Sequence, residues 1–209
     1  MSDLTLYAEA EWISPWVLHA MVALEEKALP YQLVVLELPR PPEHKLELQR
    51  KAVIGKVPIL VHGDAWITES VAISEYLAET FPTPGHPRIF PEDLVKRARA
   101  RQVMSFLRTD LFALRAERPT TTIFGTPVAT PLSAEAQAQA AELLRIAGHL
   151  VLPGRTAMFG AFSIADADLA LALLRLVRNR DPVPDHLIAY AEGVWSRPSV
   201  QTFVKHGAR

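Results

Sequence analysis

The apolar residues change their spacing once along the chain, near residue 83, and that change limits what the chain can become. Up to Phe81 short runs of period two alternate with runs of helical period; beyond Leu94 only helical spacing persists. Leu4, Leu6 and Ala8 alternate with Thr5 and Tyr7, which predicts a strand. From Pro15 the period lengthens, placing Val17, Met21, Leu24 and Ala28 on one helical face with Glu25, Glu26 and Lys27 outward. Ser14 before Pro15 reads as a helix start, because serine caps and a first-position proline forfeits no needed hydrogen bond. Pro30 stops that helix. Tyr31 to Leu38 is then a β-rich run closed by Pro39, Pro41 and Pro42. Glu43 to Lys56 is charged and weakly patterned, and no element is assigned to it. Val57 to Val61 forms a strand, His62-Gly63-Asp64-Ala65 a tight turn, and Trp66 to Thr68 the returning strand. A helical pattern through Val71, Ile73, Tyr76 and Leu77 ends near Phe81-Pro82. Residues 1–82 are thus expected to form a compact α/β module.

Thr83-Pro84-Gly85-His86-Pro87 opens a linker expected over residues 83–93. Helical spacing then runs through Leu94 to Ala116, Ser133 to Leu152 and Ile164 to Val177. An irregular Thr/Pro insertion, Pro119 to Pro131, separates the first two. Residues 94–209 are expected to be all-helical. The charge is also divided. Met1 to Phe81 carries 6 basic and 12 acidic side chains, the remainder 16 and 11, within a net charge of -1.

That near-neutral balance gives no general attraction to polyanions, so no nucleic-acid partner is expected. The absence of cysteine removes disulfides, thiolate nucleophiles and cysteine-ligated metals, and fits a reducing, cytoplasmic setting. The start MSDLTLYAEAEW lacks a leader pattern, and no apolar run approaches the roughly 20 residues of a membrane span. The seven histidines show no metal-ligand spacing and read as solvated surface groups. Lys96, Arg97, Arg99 and Arg101 read as a wet helix face, and no glycine-rich phosphate loop occurs.

Four places carry possible chemistry. Ser14 can cap its helix, or its hydroxyl and the nearby N–H groups can stabilise an anion. Glu69-Ser70 lies where a strand gives way to a helix: Ser70 can be the cap, or the pair can hold a ligand bearing both charge signs. In Gly55-Lys56-Val57-Pro58 the proline opens a strand, and a cis bond would present the Val57 backbone to a ligand. Ser163 and Asp166, three apart at a helix start, read as a capping device. Trp12, Trp16, Phe106, Leu111 and Phe112 can supply apolar contacts to a second ligand. Arg108 and Arg115, seven apart, share a helix face and suit an anionic one.

These segments fall in a familiar order. SPWVLHAMVALEEKALPY, GKVPILVHGDAWITESVAISEYLAETFP and FSIADADLALALLRLV resemble a cytosolic-type glutathione transferase, and are particularly similar to its bacterial YfcF-like branch. The resemblance implies a thioredoxin-like N-terminal domain holding glutathione and a helical domain completing an electrophile pocket. It implies a homodimer with glutathione as co-substrate and no metal. It assigns Ser14 to the glutathione sulfur, the Val57 main chain to the cysteinyl portion, Pro58 to the cis-proline and Glu69-Ser70 to the γ-glutamyl group. Ser163 and Asp166 become a folding element. Lys56 is the first candidate for the glycyl carboxylate, with His44 and Lys51 behind it. The expected pocket is Trp12, Trp16, Phe106, Leu111 and Arg115. Trp16 stands where many relatives have tyrosine, and the lack of a cysteine near Ser14 disfavours omega-like thiol transfer. The implied activity is attack of the glutathione thiolate on a hydrophobic electrophile, with reduction of organic hydroperoxides beside it; the alternative is a non-catalytic dimeric interaction protein.

Overall fold

The computed structural model describes residues 3–37, 39 and 41–207. They divide into two compact units: the residues up to Ile89 together with those from Ser199 on, and Phe90–Pro198. The segment read as a linker spans this division, and its Ile89 and Phe90 are buried. The chain from Ser199 groups with the first unit, whereas helical spacing alone had assigned it to the second.

The first unit runs β1 (Leu4–Glu9), α1 (Pro15–Glu26), β2 (Gln32–Leu36), α2 (Pro42–Ala52), β3 (Ile59–His62), β4 (Ala65–Thr68) and α3 (Ser70–Thr80). The strand order is β2-β1-β3-β4, with β1 and β2 parallel and the other pairs antiparallel. This is a thioredoxin-like arrangement. Of the β-rich run, Gln32–Leu36 is strand, and Leu38 lies outside the described residues. Helix α1 packs against α3, and the strand side chains Leu4, Leu6 and Ala8 are buried. Beside α2, Leu36, Leu48, Ala52 and Ile59 form an apolar cluster joined by Tyr7, Val34 and Trp66.

Three details differ from the sequence reading. Pro42–Ala52 is helical. Its local signals were present: a proline and Glu43 in the first turn, Arg50 and Lys51 in the last, and a Glu47–Lys51 ion pair one turn apart at 2.9 Å. Helix α1 is buried from Val17 to Leu24 on all sides, His19 included, so that histidine is no surface group. Its Nε2 lies 3.0 Å from Ser74 Oγ, across the contact with α3. Finally, Lys27 and Ala28 exchange their expected places. Lys27 caps α1, is 1 % exposed and donates to the Pro87 carbonyl at 3.0 Å; Ala28 is exposed at φ 52°. The left-handed turn at Ala28 ends the helical phase that would place it inward.

The second unit holds α4 (Leu94–Thr109), α5 (Phe112–Glu117), α6 (Thr121–Phe124), α7 (Ala134–Leu150), α8 (Ile164–Arg178) and α9 (Asp185–Trp195); α10 (Pro198–Gly207) follows. Helix α8 is buried from Ile164 to Leu176 and contacts α4, α6, α7 and α9. The run Leu94 to Ala116 breaks at Asp110–Leu111. There the Thr109 hydroxyl lies 3.1 Å from the Ser105 carbonyl and also within reach of the Asp110 carboxylate, side-chain bonding that competes with the helix. Asp166 anchors the start of α8: its carboxylate accepts from Met158 N–H (2.8 Å), Ser163 N–H (2.8 Å), the Ser163 hydroxyl (2.9 Å) and the Tyr190 hydroxyl (2.8 Å). The Thr/Pro insertion is tied down at the other end of α8. Arg118 clamps Asp181 through two bonds at 2.7 and 2.9 Å, and Asn179 bonds Thr122 at 2.7 Å and Val128 N–H at 2.6 Å. Among the described residues no helix is long and apolar enough to cross a membrane.

Candidate functional site

Strand register assembles the site. Tyr7 of β1 pairs with Ile59 of β3, and Ile59 pairs with Thr68 of β4. The end of β1, the start of β3 and the end of β4 therefore meet at one end of the sheet. The residues that follow or precede those strand ends are Ser14, Val57-Pro58 and Glu69-Ser70. Antiparallel pairing thus places Tyr7 beside Ile59, about 50 residues on in the chain, and Thr68 beside Ile59. Thr68 Oγ1 donates to the Ala52 carbonyl at 3.4 Å, bringing the end of α2, and so the segment holding Lys56, to the same end.

Ser14 is the N-cap of α1. Its Oγ accepts from Val17 N–H at 3.3 Å, and Pro15 follows at the first helical position. Capping uses an oxygen lone pair and leaves the hydroxyl proton for donation. Ser14 is partly exposed, so cap and anion donor are compatible roles for one side chain. Two residues earlier Trp12 takes φ 53°, a conformation rare outside glycine.

A residue the sequence reading missed holds this turn. Glu9, the last residue of β1, is 4 % exposed, and its Oε1 accepts both Ile13 N–H (2.8 Å) and Ser14 N–H (2.7 Å). Its Oε2 is buried without a hydrogen-bond partner. Burial pushes the Glu9 carboxyl above its ordinary value, against the lowering effect of those N–H groups. The available signal was an acid closing an otherwise apolar strand just ahead of a capping serine.

The Val57-Pro58 peptide is cis. Glu69, rather than Ser70, occupies the cap position of α3; its side chain makes no capping bond, is exposed, and sits on a backbone at φ 66°. Such backbone conformations cost about 1–3 kcal/mol and collect at functional sites. Ser70 is buried in the first turn. Lys56 is exposed. His44 and Lys51 line a separate small cleft of about 240 Å³ with Tyr7, Glu47, Leu48 and Trp66, where Lys51 is paired with Glu47 and lies 5.1 Å from the Trp66 ring centre.

The apolar candidates separate. Trp12 is 2 % exposed, edge-on to Phe203 and stacked on His206, which makes it a packing residue of the first unit. Leu111 is 1 % exposed and packed likewise in the second. Trp16 is partly exposed at the start of α1. Phe106 lines a cleft of about 490 Å³ between α4 and α7, with Arg99, Arg145 and His149. Arg115 is half-buried, and both burial and the Arg108 charge lower its pKa; Arg108 itself is engaged by Asp168 at 2.6 Å. Among the described residues no cluster of metal-ligating side chains occurs.

The chain matches the family profile "Glutathione S-transferase, N-terminal domain" over residues 13–80 and "Glutathione S-transferase, C-terminal domain" over residues 93–209. A glutathione transferase homolog from Burkholderia, crystallised with bound glutathione, is 36 % identical over 98 % of both chains, with a TM-score of 0.81. A glutathione S-transferase from Rhodospirillum rubrum is 27 % identical, covers 96 % of this chain and 91 % of its own, and has a TM-score of 0.70. Glutathione S-transferase U13 from Arabidopsis thaliana is 38 % identical over 104 residues, 49 % of this chain; the match spans 44 % of that plant relative.

Proposed function

The chain belongs to the glutathione S-transferase family, and on that premise we propose that it binds glutathione at the Ser14 end of the sheet and activates the thiol as thiolate. The observation that carries this reading is the Ser14 hydroxyl, which caps α1 through a lone pair while its proton remains available to a sulfur anion. The energetic demand is modest. A thiol with the cysteine reference pKa of about 8.5 is mostly protonated at pH 7, and lowering it two units takes about 2.7 kcal/mol. A hydrogen bond to charge contributes about 1.5–3 kcal/mol, and a helix N-terminus about 0.3–2. Ser14 and the first turn of α1 together meet that demand.

The remaining roles are those the family resemblance implies, and the chemistry of each residue suits them. Val57 offers main-chain groups to the cysteinyl portion beside the Pro58 strand start. The exposed Glu69 carboxylate attracts the γ-glutamyl ammonium, and the α3 N-terminus with Ser70 favours its carboxylate. Lys56, exposed in the same end of the unit, is the partner for the glycyl carboxylate. The thiolate attacks a soft electrophilic carbon, displacing a leaving group or adding to an activated alkene. A hydroperoxide oxygen is a second target for the same sulfur. Trp16, Phe106 and Arg115 remain candidates for contacts to that second substrate. Homodimerisation, a cytoplasmic location and a place in the YfcF-like branch complete the proposal; the branch rests on the resemblance of the three matching segments.

The test is to incubate purified protein with glutathione and aryl halides, enals, epoxides and hydroperoxides, following thiol loss and product together. Conjugate formation supports the transferase reading, and turnover of hydroperoxides alone moves the description to a peroxidase. Glutathione binding with no turnover of any member favours a non-catalytic interaction protein. Absence of binding overturns both enzyme readings.

A further inference from the structure

Glu9 is an acid where an acid is costly. Buried carboxylates without full hydrogen bonding are disfavoured, and a strand end needs no charge to fold. Yet Glu9 is 4 % exposed, gives one oxygen to two successive backbone N–H groups, and leaves the other buried without a partner. The two N–H groups belong to Ile13 and Ser14, the residues that turn the chain from the left-handed Trp12 into α1.

We propose that Glu9 is a positioning residue for the thiol-binding helix start, clamping the Ile13–Ser14 backbone through Oε1 and controlling, through its own charge, how readily a sulfur held at Ser14 loses its proton. The proposal rests on the glutathione reading above. A negative carboxylate behind Ser14 opposes a second anion in front of it, whereas a neutral Glu9 does not. Burial favours the neutral form, and Glu11 in the same loop adds repulsion of the same sign. Among the described residues, charged or titratable groups on surrounding elements include Tyr7 in β1, Glu37 after β2, His19, Glu25 and Glu26 in α1, Lys56 and Glu69 at the same sheet end, and Lys205 and His206 at the end of α10. His19 is bonded to Ser74 and His206 is stacked on Trp12.

Linkage makes the claim measurable on either group, because the coupling is reciprocal and displaces the titration of whichever of the two ionises second. In full-length protein labelled with carboxyl-13C glutamate, the buried carboxyl should titrate at higher pH with glutathione bound than with S-methylglutathione bound, which has no thiol to ionise. In Glu9→Gln, which keeps the acceptor facing Ile13 and Ser14, the bound thiol's absorbance titration should move down by about one pH unit. Its KM for glutathione should stay near that of the parent. Glu9→Ala, lacking the clamp, should raise KM instead. Identical carboxyl titrations with the two ligands together with an unmoved thiol titration in a folded Glu9→Gln protein would overturn the proposal. If that variant does not fold, the thiol titration is read in Glu9→Ala at saturating glutathione, beside the carboxyl titration of the parent protein. Ser14→Ala separates the two ideas: a thiol titration that ignores Ser14 sinks the functional reading and this proposal with it. One that responds to Ser14, with neither the thiol nor the carboxyl titration showing the coupling to Glu9, sinks only the latter.

Discussion

The indole of Trp12 stacks on the imidazole of His206, ring centres 4.2 Å apart and planes within 14°. Residues from opposite ends of the chain thus meet directly behind the turn that presents Ser14. Phe203 packs edge-on to the same indole at 5.6 Å, and Gly207 brings α10 so close that an added Cβ would lie 3.3 Å from the Trp12 Cβ. Helix α10 is therefore part of the scaffold that holds the site.

Phe203→Ala should destabilise the first unit by about 3–5 kcal/mol, since Phe203 is fully buried. Urea denaturation followed by tryptophan fluorescence reads this directly. A loss below about 1 kcal/mol, small on that scale, would show that α10 merely rests on the loop.

Ser14→Ala should lose about 0.5–2 kcal/mol of stability as a cap is removed. It should also lower glutathione turnover at neutral pH by roughly 10- to 150-fold, the worth of one charge-assisted hydrogen bond. Thiolate absorbance against pH should shift upward. Superimposable profiles for the two proteins would eliminate Ser14 as the activating donor.

Glu69 separates stability from binding. Glu69→Gly relieves a backbone held at φ 66° and should gain on the order of 1 kcal/mol, while weakening glutathione binding through loss of the ammonium partner. Glu69→Ala should weaken binding with no such gain. Calorimetry that finds parental affinity in both would remove Glu69 from the site.

Acid sensitivity should be traceable to Glu117. Its carboxylate accepts Ser133 N–H at 2.8 Å and the Ser133 hydroxyl at 2.5 Å, which holds its pKa below the ordinary 4.5. The unfolded chain then takes up this proton more readily than the folded one. The group's contribution is therefore present above about pH 4.5 and is lost as pH falls through the lower folded value. Denaturation at pH 7 and pH 3 should show a smaller acid loss in Glu117→Gln than in the parent. Equal losses would overturn the assignment.

Much of the architecture was legible in the sequence because its causes are local. Period-two and helical spacing set out β1, α1, the β3–β4 hairpin and the long helices, while Ser14-Pro15 and Ser163 marked helix starts through capping chemistry confined to a few residues. Even α2 had its terminal signals, though its low apolar content hid the period. The thioredoxin-like order and the positions of Ser14, Val57-Pro58 and Glu69-Ser70 in it were available without coordinates. Only tertiary structure decided which polar groups are buried. Glu9, His19 and Lys27 look like surface residues in any local window, yet each lies inside; Ser74 and Pro87, 55 and 60 residues away, partner His19 and Lys27, while the turn at Ile13 and Ser14 supplies the bonds of Glu9. The same holds for Trp12, which α10 turns from a candidate ligand contact into core. Spacing and capping are energies of neighbours in sequence; burial is an energy of whatever the folded chain brings alongside, and no local pattern encodes that meeting.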